Sequence, residues 1–165
     1  AFAPVDDNPA AAIDEWSGDR GCGVQYFSQQ AVARHAKNLG LDYGVMPFPE
    51  QLIEVQNLMK QGDEKAATIF TNIGSDLGHS IKHYARFYEI ENLLILGRVT
   101  SGDGGQLILD TARKTMAEHY PDLDEKIFFV TPDETMKRHG QAIAAASLPA
   151  GSRVLSENLA NVGSV

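Results

Sequence analysis

Apolar residues recur every three or four positions along much of the chain, which is the spacing of one face of an α-helix. The pattern predicts a first helix over residues 28–39, ended by Gly40, and a second that Pro49 opens and Gly62 closes. Asp63 fits the N-cap of a long central helix that reaches Tyr88. The residues at helical spacing in the first two helices are Ala31, Val32, His35, Ala36, Leu39, Leu52, Ile53, Gln56 and Met59. The predicted core face of the long helix is Phe70, Ile73, Leu77, Ile81, Tyr84 and Tyr88.

Two short runs, residues 92–96 and 126–130, are apolar after their first residue, which is Asn92 or Lys126. Such runs are typical of strands covered on both faces, so Phe128 and Phe129 are predicted core residues. A helix between the two strands ends near Tyr120. The alternation of helices and strands favours an α/β fold with a short sheet of parallel strands packed by helices. The core positions predicted in the intervening helix are Leu107, Ile108, Ala112 and Met116.

The two ends of the chain have less regular patterns. Residues 6–23 hold Asp, Asn, Pro, Gly and Ser among few apolar positions, which predicts a loop or short hairpin. Trp16 in this segment is expected to be a packing anchor, with stacking on a sugar ring as the alternative. An alanine-rich final helix is predicted over residues 136–147, followed by a loosely ordered tail after Pro149.

Composition narrows the class of protein. The formal net charge of −8 and the dispersed acidic residues argue against nucleic acid and anionic membranes as partners. No apolar run approaches the roughly 20 residues of a membrane span, and the start lacks the basic region of a secretory signal, so a cytoplasmic location is expected. Cys22, the single cysteine, is expected to be buried and unreactive. A start without Met suits a fragment.

Five histidines raise the question of a metal site. His79 and His83 have the i, i+4 spacing that binds a metal from one helix face, but no third ligand follows from the sequence. They are therefore expected to be exposed or partly packed helix residues. His35, His119 and His139 are isolated, and we expect them at helix ends or on the surface.

The most distinctive motif is the apolar run 92–96 followed by a glycine-rich turn over residues 97–105. In α/β proteins, a strand that runs into such a turn and then a helix is where phosphates are held by backbone N–H groups. The alternative is a plain strand-to-helix turn that needs glycine for its geometry. Asp103 is expected to cap the helix and to be a poor neighbour for phosphate.

Several segments together resemble the C-terminal lobe of ROK proteins, the repressor, open-reading-frame and kinase group of sugar kinases. The resemblance covers the chain up to about Leu148 and implies an actin-like, ribonuclease-H-like ATPase fold. Two lobes of that fold close over ATP and a hexose. The segments that carry it are Ile73-Gly-Ser-Asp-Leu-Gly78, Asn92-Leu-Leu-Ile-Leu-Gly97, Val99-Thr-Ser-Gly102, Gly18-Asp-Arg-Gly-Cys22 with Tyr26, Ser28, Ala31 and Ala36, and Gly140-Gln-Ala-Ile-Ala-Ala-Ala146.

The resemblance implies a nucleotide site at the glycine-rich turn, with ATP and Mg²⁺ as cofactors of the complete protein. Arg98 stands where the family commonly has another glycine. Its side chain either crowds the ligand or pairs with a phosphate, and we expect crowding. The residues implied in nucleotide binding are Gly97, Arg98, Thr100, Ser101, Gly102, Gly104 and Gly105.

The chain lacks a credible catalytic motif. Sugar phosphorylation needs a phosphate loop and a carboxylate that takes the hydroxyl proton, and in the family both come from the N-terminal lobe. Asp76-Leu-Gly78 matches the loop superficially, but it lies in a strongly periodic helix, where glycine serves close packing. No catalytic residue is therefore assigned, and a missing N-terminal lobe is the expected partner.

The zinc and sugar signature of the family is also incomplete. Phe2 stands where a histidine is usual, Cys22 is the one remaining cysteine, and Val24 replaces the sugar-binding glutamate. Zinc needs about four ligands, so no bound zinc is expected, and the sugar-binding residues stay unassigned. The polar residues nearby are expected to be solvated loop residues rather than ligands: Asp14, Glu15, Asp19, Arg20 and Gln25.

Residues 1–148 are thus expected to form a ROK-like C-terminal lobe, with 1–27 as the signature remnant and 149–165 as the tail. The favoured function is the C-terminal lobe of a sugar kinase that is inactive alone, as a fragment or a degenerate form. The alternative is a noncatalytic sugar-sensing or dimerisation module of a transcriptional regulator. A homo-oligomer formed through the long helix is expected. An unrelated small α/β domain remains a third interpretation.

Overall fold

The computed structural model describes residues 3–131, all of which belong to one compact unit. The predicted helix over 136–147, the tail and His139 lie outside the described residues. The elements follow the predicted order, with two four-residue helices and a 3-10 turn in addition. They are α1 (Val24–Phe27), α2 (Gln29–Asn38), α3 (Phe48–Lys60), α4 (Glu64–Tyr84), β1 (Asn92–Leu94), the 3-10 turn (Arg98–Thr100), α5 (Gly102–His119), α6 (Pro121–Asp124) and β2 (Phe128–Val130).

The predicted helix starts are confirmed by their caps. The Ser28 side chain accepts a hydrogen bond from the backbone N–H of Gln30 at α2, and Asp63 accepts one from Ala66 at α4 (2.9 Å). Helix α4 ends at Tyr84, one turn before the predicted end. Tyr88 continues the apolar spacing of the helix, but its side chain is 68% exposed. It therefore does not provide the buried contact that would favour a longer helix.

The main hydrophobic core lies between α2, α3, α4 and α5. In α3 the buried apolar residues are Leu52 and Val55, whereas Ile53, which was predicted on the same face as Leu52, is 54% exposed. The prediction placed the apolar face of α3 too far round the helix, because it included Ile53 and omitted Val55. The buried residues of this core are Ala31, Val32, Ala36, Leu52, Val55, Ala66, Ile69, Phe70, Ile73, Val99 and Ile108.

Helices α4 and α5 pack closely through glycines. A Cβ atom added to Gly74 would lie 2.6 Å from the carbonyl oxygen of Ile108, and one added to Gly78 would lie 2.8 Å from that of Ala112. Both distances are too short for a real side chain, so only glycine allows the approach. The structure therefore confirms that Asp76-Leu-Gly78 belongs to a packed helix rather than to a phosphate loop.

Strands β1 and β2 are parallel, as predicted, and Leu93 pairs with Phe129 in the ladder. Ile81, Met116 and Ile127 form a second buried cluster, against which Leu93 and Phe129 pack. On the opposite face Phe128 is 63% and Leu94 58% exposed. The prediction of strands covered on both faces, with Phe128 in the core, is wrong for residues 3–131, because the helices described there cover one face.

The N-terminal segment is a loop with two isolated antiparallel bridges, Pro4 with Cys22 and Ile13 with Arg20, in agreement with the predicted loop or short hairpin. Trp16 is 87% exposed, so the predicted packing anchor is wrong. Asp14 holds the turn instead: its side chain is buried and accepts hydrogen bonds from the backbone N–H and hydroxyl of Ser17 (2.8 and 3.0 Å). The backbone bond from Ser17 lowers the pKa of Asp14. No helix within residues 3–131 combines the length and hydropathy needed to cross a membrane.

Candidate functional site

The connection from β1 to α5 lies at the carboxyl end of a parallel strand, where α/β proteins bind ligands. Ile95 continues the ladder, since its backbone N–H donates to the carbonyl of Val130 (2.9 Å). Gly97 then takes a φ of +122°, a conformation that favours glycine, and an added Cβ would meet nothing within 4 Å. The backbone of the turn is therefore accessible on the Gly97 side.

Two hydrogen bonds donated by Thr100 hold the turn together. The hydroxyl of Thr100 donates to the carbonyl of Gly97 (2.8 Å), and the backbone N–H of Thr100 donates to the same oxygen (3.2 Å). Thr100 and Val99 are buried. Helix α3 supports the turn from outside, because the Gln56 side-chain amide donates to the carbonyl of Arg98 (3.2 Å). The turn is thus held by the hydrogen bonds of Thr100 and Gln56 and by the burial of Val99.

The glycines at the start of α5 serve packing. A Cβ added to Gly104 would lie 2.5 Å from the Phe70 ring, and one added to Gly105 would lie 2.1 Å from the carbonyl carbon of Thr100. Ser101 occupies the N-cap position, and Asp103 lies in the first turn, so the prediction of Asp103 as the cap is wrong. An acidic residue there still complements the positive end of the helix dipole.

A cavity of about 310 Å³ opens beside the turn. We call it the turn cavity. One wall comes from the junction of α1 and α2, and the other from the strand end and the turn. Among the predicted nucleotide residues, Gly97 and Arg98 line it, whereas Thr100, Ser101, Gly102, Gly104 and Gly105 do not. Its complete lining is Phe27, Ser28, Gln29, Leu96, Gly97, Arg98 and Val99.

The turn cavity combines a cation, an amide and an aromatic ring. Arg98 is exposed, and none of the ion pairs within residues 3–131 involves it. The Oε1 atom of Gln29 is buried and has no hydrogen-bond partner in this part of the chain. Phe27 supplies a half-buried ring. Sequence reasoning missed Phe27 and Gln29, because nothing in their spacing signals that α2 starts opposite the glycine turn.

A second cleft, of about 410 Å³, lies between α2 and the segment around Tyr43. Glu15 and Gln25, two of the polar residues considered near the sugar edge, line it. Asp14 and Gln25 are buried, which overturns their prediction as solvated loop residues. Glu15, Asp19 and Arg20 are exposed as predicted, and the Arg20 guanidinium donates to the carbonyl of Ala11 (3.0 Å).

The histidines do not assemble a metal site within residues 3–131, where no group of three or more His, Cys, Asp or Glu residues is placed to hold a metal ion. His79 is exposed and His83 half-buried, as predicted. The Nδ1 atom of His79 lies 3.0 Å from the Tyr120 hydroxyl, and its ring centroid lies 5.1 Å from that of His119. His35 lies 3.9 Å from the Asp76 carboxylate and links α2 to α4.

Cys22 is 1% exposed, which confirms its predicted burial. Another cavity, of about 780 Å³, lies at the amino ends of the two strands, opposite the glycine turn. Tyr88, Glu89, Glu91 and Lys126 contribute to its lining. No sequence motif pointed to that place.

No protein-family model matches the chain, and no curated protein matches it either.

Proposed function

We propose that the chain is the C-terminal lobe of a ROK-type sugar kinase, that it binds the nucleotide at the β1–α5 connection, and that it is inactive alone. The observation that carries this proposal is the turn cavity, which lies at the carboxyl end of β1 and is lined by Gly97 and Arg98. The exposed Arg98 supports phosphate binding over crowding, because the cavity persists beside its side chain.

The arrangement of α4, β1, α5 and β2 is compatible with this assignment. The family resemblance includes a long helix with glycines, a strand, a glycine turn and a second helix, and these elements follow one another in that order along the chain. The helical glycines bring α4 against α5, and the two strands are parallel. The actin-like architecture itself remains part of the proposal.

The proposed inactivity of the chain alone follows from the position of Asp76. Its carboxylate is on α4, 3.9 Å from His35, and the helix beneath it is packed against α5. It is therefore not in a loop that could hold Mg²⁺ and the ATP phosphates. The missing N-terminal lobe would supply that loop and the carboxylate that accepts the sugar hydroxyl proton.

The alternative function is a noncatalytic sugar-sensing or dimerisation module of a ROK-type regulator. It is favoured by the reduced zinc and sugar signature, since Cys22 is buried beside Pro4 and Val24 carries no polar group. In this alternative the chain forms a homo-oligomer and binds a sugar without transferring phosphate.

Titration calorimetry of the purified chain with ATP–Mg²⁺ and with common hexoses tests these functions. Binding of ATP is expected. Its affinity should fall in Arg98→Ala if the arginine pairs with phosphate, and rise if the arginine crowds the ligand. Arg86→Ala is the matched control, because Arg86 is exposed and does not line the turn cavity. Absence of nucleotide binding by the unaltered chain would contradict the kinase proposal.

Heat from a hexose in the absence of nucleotide would favour the sensing module. The upstream coding sequence provides an independent test. A phosphate loop and an Asn-Asp pair there would support the kinase, and a helix-turn-helix would support the regulator.

A further inference from the structure

Helix α3 presents a polar side chain to the glycine-rich turn. Gln56 is half-buried and directly follows the buried Val55, so it lies at the edge of the apolar face of α3. Its side-chain amide donates to the carbonyl oxygen of Arg98 (3.2 Å) and to that of Ser101 (3.5 Å). One amide therefore bridges two carbonyls of the turn, which lie 42 and 45 positions later in the sequence.

These contacts hold the backbone on both sides of the Arg98 Cα atom. The peptide group before it is held through the carbonyl of Gly97, which accepts from the hydroxyl and the backbone N–H of Thr100. The peptide group after it is held through the carbonyl of Arg98, which accepts from Gln56 and from the backbone N–H of Ser101 (3.3 Å). Because the planes of two successive peptide groups set the direction of the Cα–Cβ bond between them, Gln56 helps to direct the Arg98 side chain.

The start of the turn depends on this support. Gly97 has a φ of +122° and no side chain that restricts its rotation, and nothing lies within 4 Å of where its Cβ would be. Arg98 is exposed, and neither ion pair found within residues 3–131 involves it. Gln56 does not line the turn cavity, so it acts on a ligand there only through the turn.

We infer that Gln56 is a positioning residue, which holds the 3-10 turn so that the Arg98 guanidinium meets the phosphates of a nucleotide in the turn cavity. The inference rests on the proposed nucleotide site and adds the residue that orients its cation. A guanidinium pairs well with phosphate only when its N–H groups are aligned with the phosphate oxygens, so a loosened turn weakens that contact. The nucleoside part of the ligand does not depend on it.

The test on ligand binding compares ATP–Mg²⁺ with adenosine by titration calorimetry of the full chain. Gln56→Met keeps the size of the side chain and removes the donor. It should weaken ATP binding about fivefold, which is the effect of one hydrogen bond, and change adenosine binding by less than about twofold. A general loss of structure would weaken both ligands, so the difference between them separates positioning from stability.

A double-mutant cycle shows whether Gln56 acts through Arg98. In an Arg98→Ala background, Gln56→Met should change ATP binding by less than about twofold, because no guanidinium is left to orient. Gln61→Met is the matched control, since Gln61 is exposed at the end of α3 and should leave both affinities unchanged. Additive effects of Gln56→Met and Arg98→Ala would overturn the inference.

Trypsin tests the contact without nucleotide, because it cleaves after exposed arginines and Gln56 holds the carbonyl of the Arg98–Val99 bond. Under native conditions, Gln56→Met should speed cleavage of this bond about fivefold, as the loss of one hydrogen bond favours local opening. Cleavage after Arg86, in the exposed turn that follows α4, is the internal reference and should not change. Equal cleavage of the Arg98–Val99 bond with and without the substitution would refute the role of Gln56.

The outcomes separate the two proposals. If the unaltered chain binds neither ATP nor adenosine, the proposed nucleotide site fails, and the positioning role fails with it. If the chain binds ATP but Gln56→Met weakens both ligands equally or weakens neither, the nucleotide site stands and the role of Gln56 is refuted. If Arg98→Ala strengthens ATP binding, the arginine crowds the ligand and the inference is wrong.

Discussion

The interface between α4 and α5 and the two-stranded sheet are built in opposite ways. At the helix interface, Gly74 and Gly78 remove side chains so that the backbones approach, and Ile73 and Ile108 are 1% exposed. In the sheet, each strand has three residues, and Leu94 and Phe128 are more than half exposed on the outer face. At the helix interface the two backbones are in close contact, whereas the sheet leaves apolar side chains exposed among the residues described.

The difference shows which sequence features specify packing on their own. A glycine inside a helix predicts close packing specifically. Glycine has a low helix propensity, and a close neighbour is needed to offset that cost. An unbroken apolar run is less specific, since it is compatible with coverage on one face or on both.

Gly74→Ala should have the largest effect, a loss of about 3 kcal/mol in the free energy of unfolding, because the new methyl group meets the backbone of α5. The side chain would lie 2.6 Å from the Ile108 carbonyl oxygen, which cannot move aside as a flexible side chain would. Urea denaturation measures the change. Asn72→Ala, on the exposed face of α4, is the control and should be neutral or slightly stabilising. Equal stabilities of the two variants would show that the helices are not in close contact.

Gly104→Ala should cost about 2 kcal/mol, because the added methyl group overlaps the Phe70 ring. The closest approach is 2.5 Å to a ring carbon. In a Phe70→Leu background the same substitution should cost less than half as much, and a double-mutant cycle by urea denaturation gives the coupling. Additive effects of the two substitutions would contradict the contact.

Phe128→Ser should have the smallest effect, within about 0.5 kcal/mol of the unaltered chain, because the side chain is already 63% exposed. Its neighbour Phe129→Ser should cost about 2 kcal/mol, since Phe129 packs on the second cluster and the Arg113 guanidinium lies 5.5 Å from its ring centroid. Chemical denaturation of both variants measures the contrast. A similar loss for Phe128→Ser would mean that the outer face of the sheet is covered in solution.

Helix order and helix starts could be predicted from the sequence, because they depend on local signals. The parallel direction of the strands could be predicted because a helix connects them. Ser28 and Asp63 are caps that act within their own first turn, and glycine follows the ends of α2 and α3. The end of α4 and the exposed face of α3 could not be predicted. Tyr88 and Ile53 both fit the apolar spacing of their helices, but that spacing does not show whether another element covers them.

The candidate site could be predicted in part. The motif around Gly97 led to the β1–α5 connection, because a strand followed by glycines has a recognisable local pattern. The opposite wall of the turn cavity depends on how the residues before α2 pack across the fold, more than 60 positions away in sequence, so Phe27 and Gln29 carried no signal. The buried Asp14 was missed for a related reason: a loop carboxylate that organises its own turn has the same composition as a solvated one.

The burial of the single thiol at Cys22 gives the protein an intrinsic probe of local opening. A thiol-specific reagent can modify it only after the N-terminal loop separates from the start of α1, and no other cysteine in the sequence competes for the reagent. The rate of labelling under native conditions therefore measures how often this loop detaches while α4 and α5 stay folded.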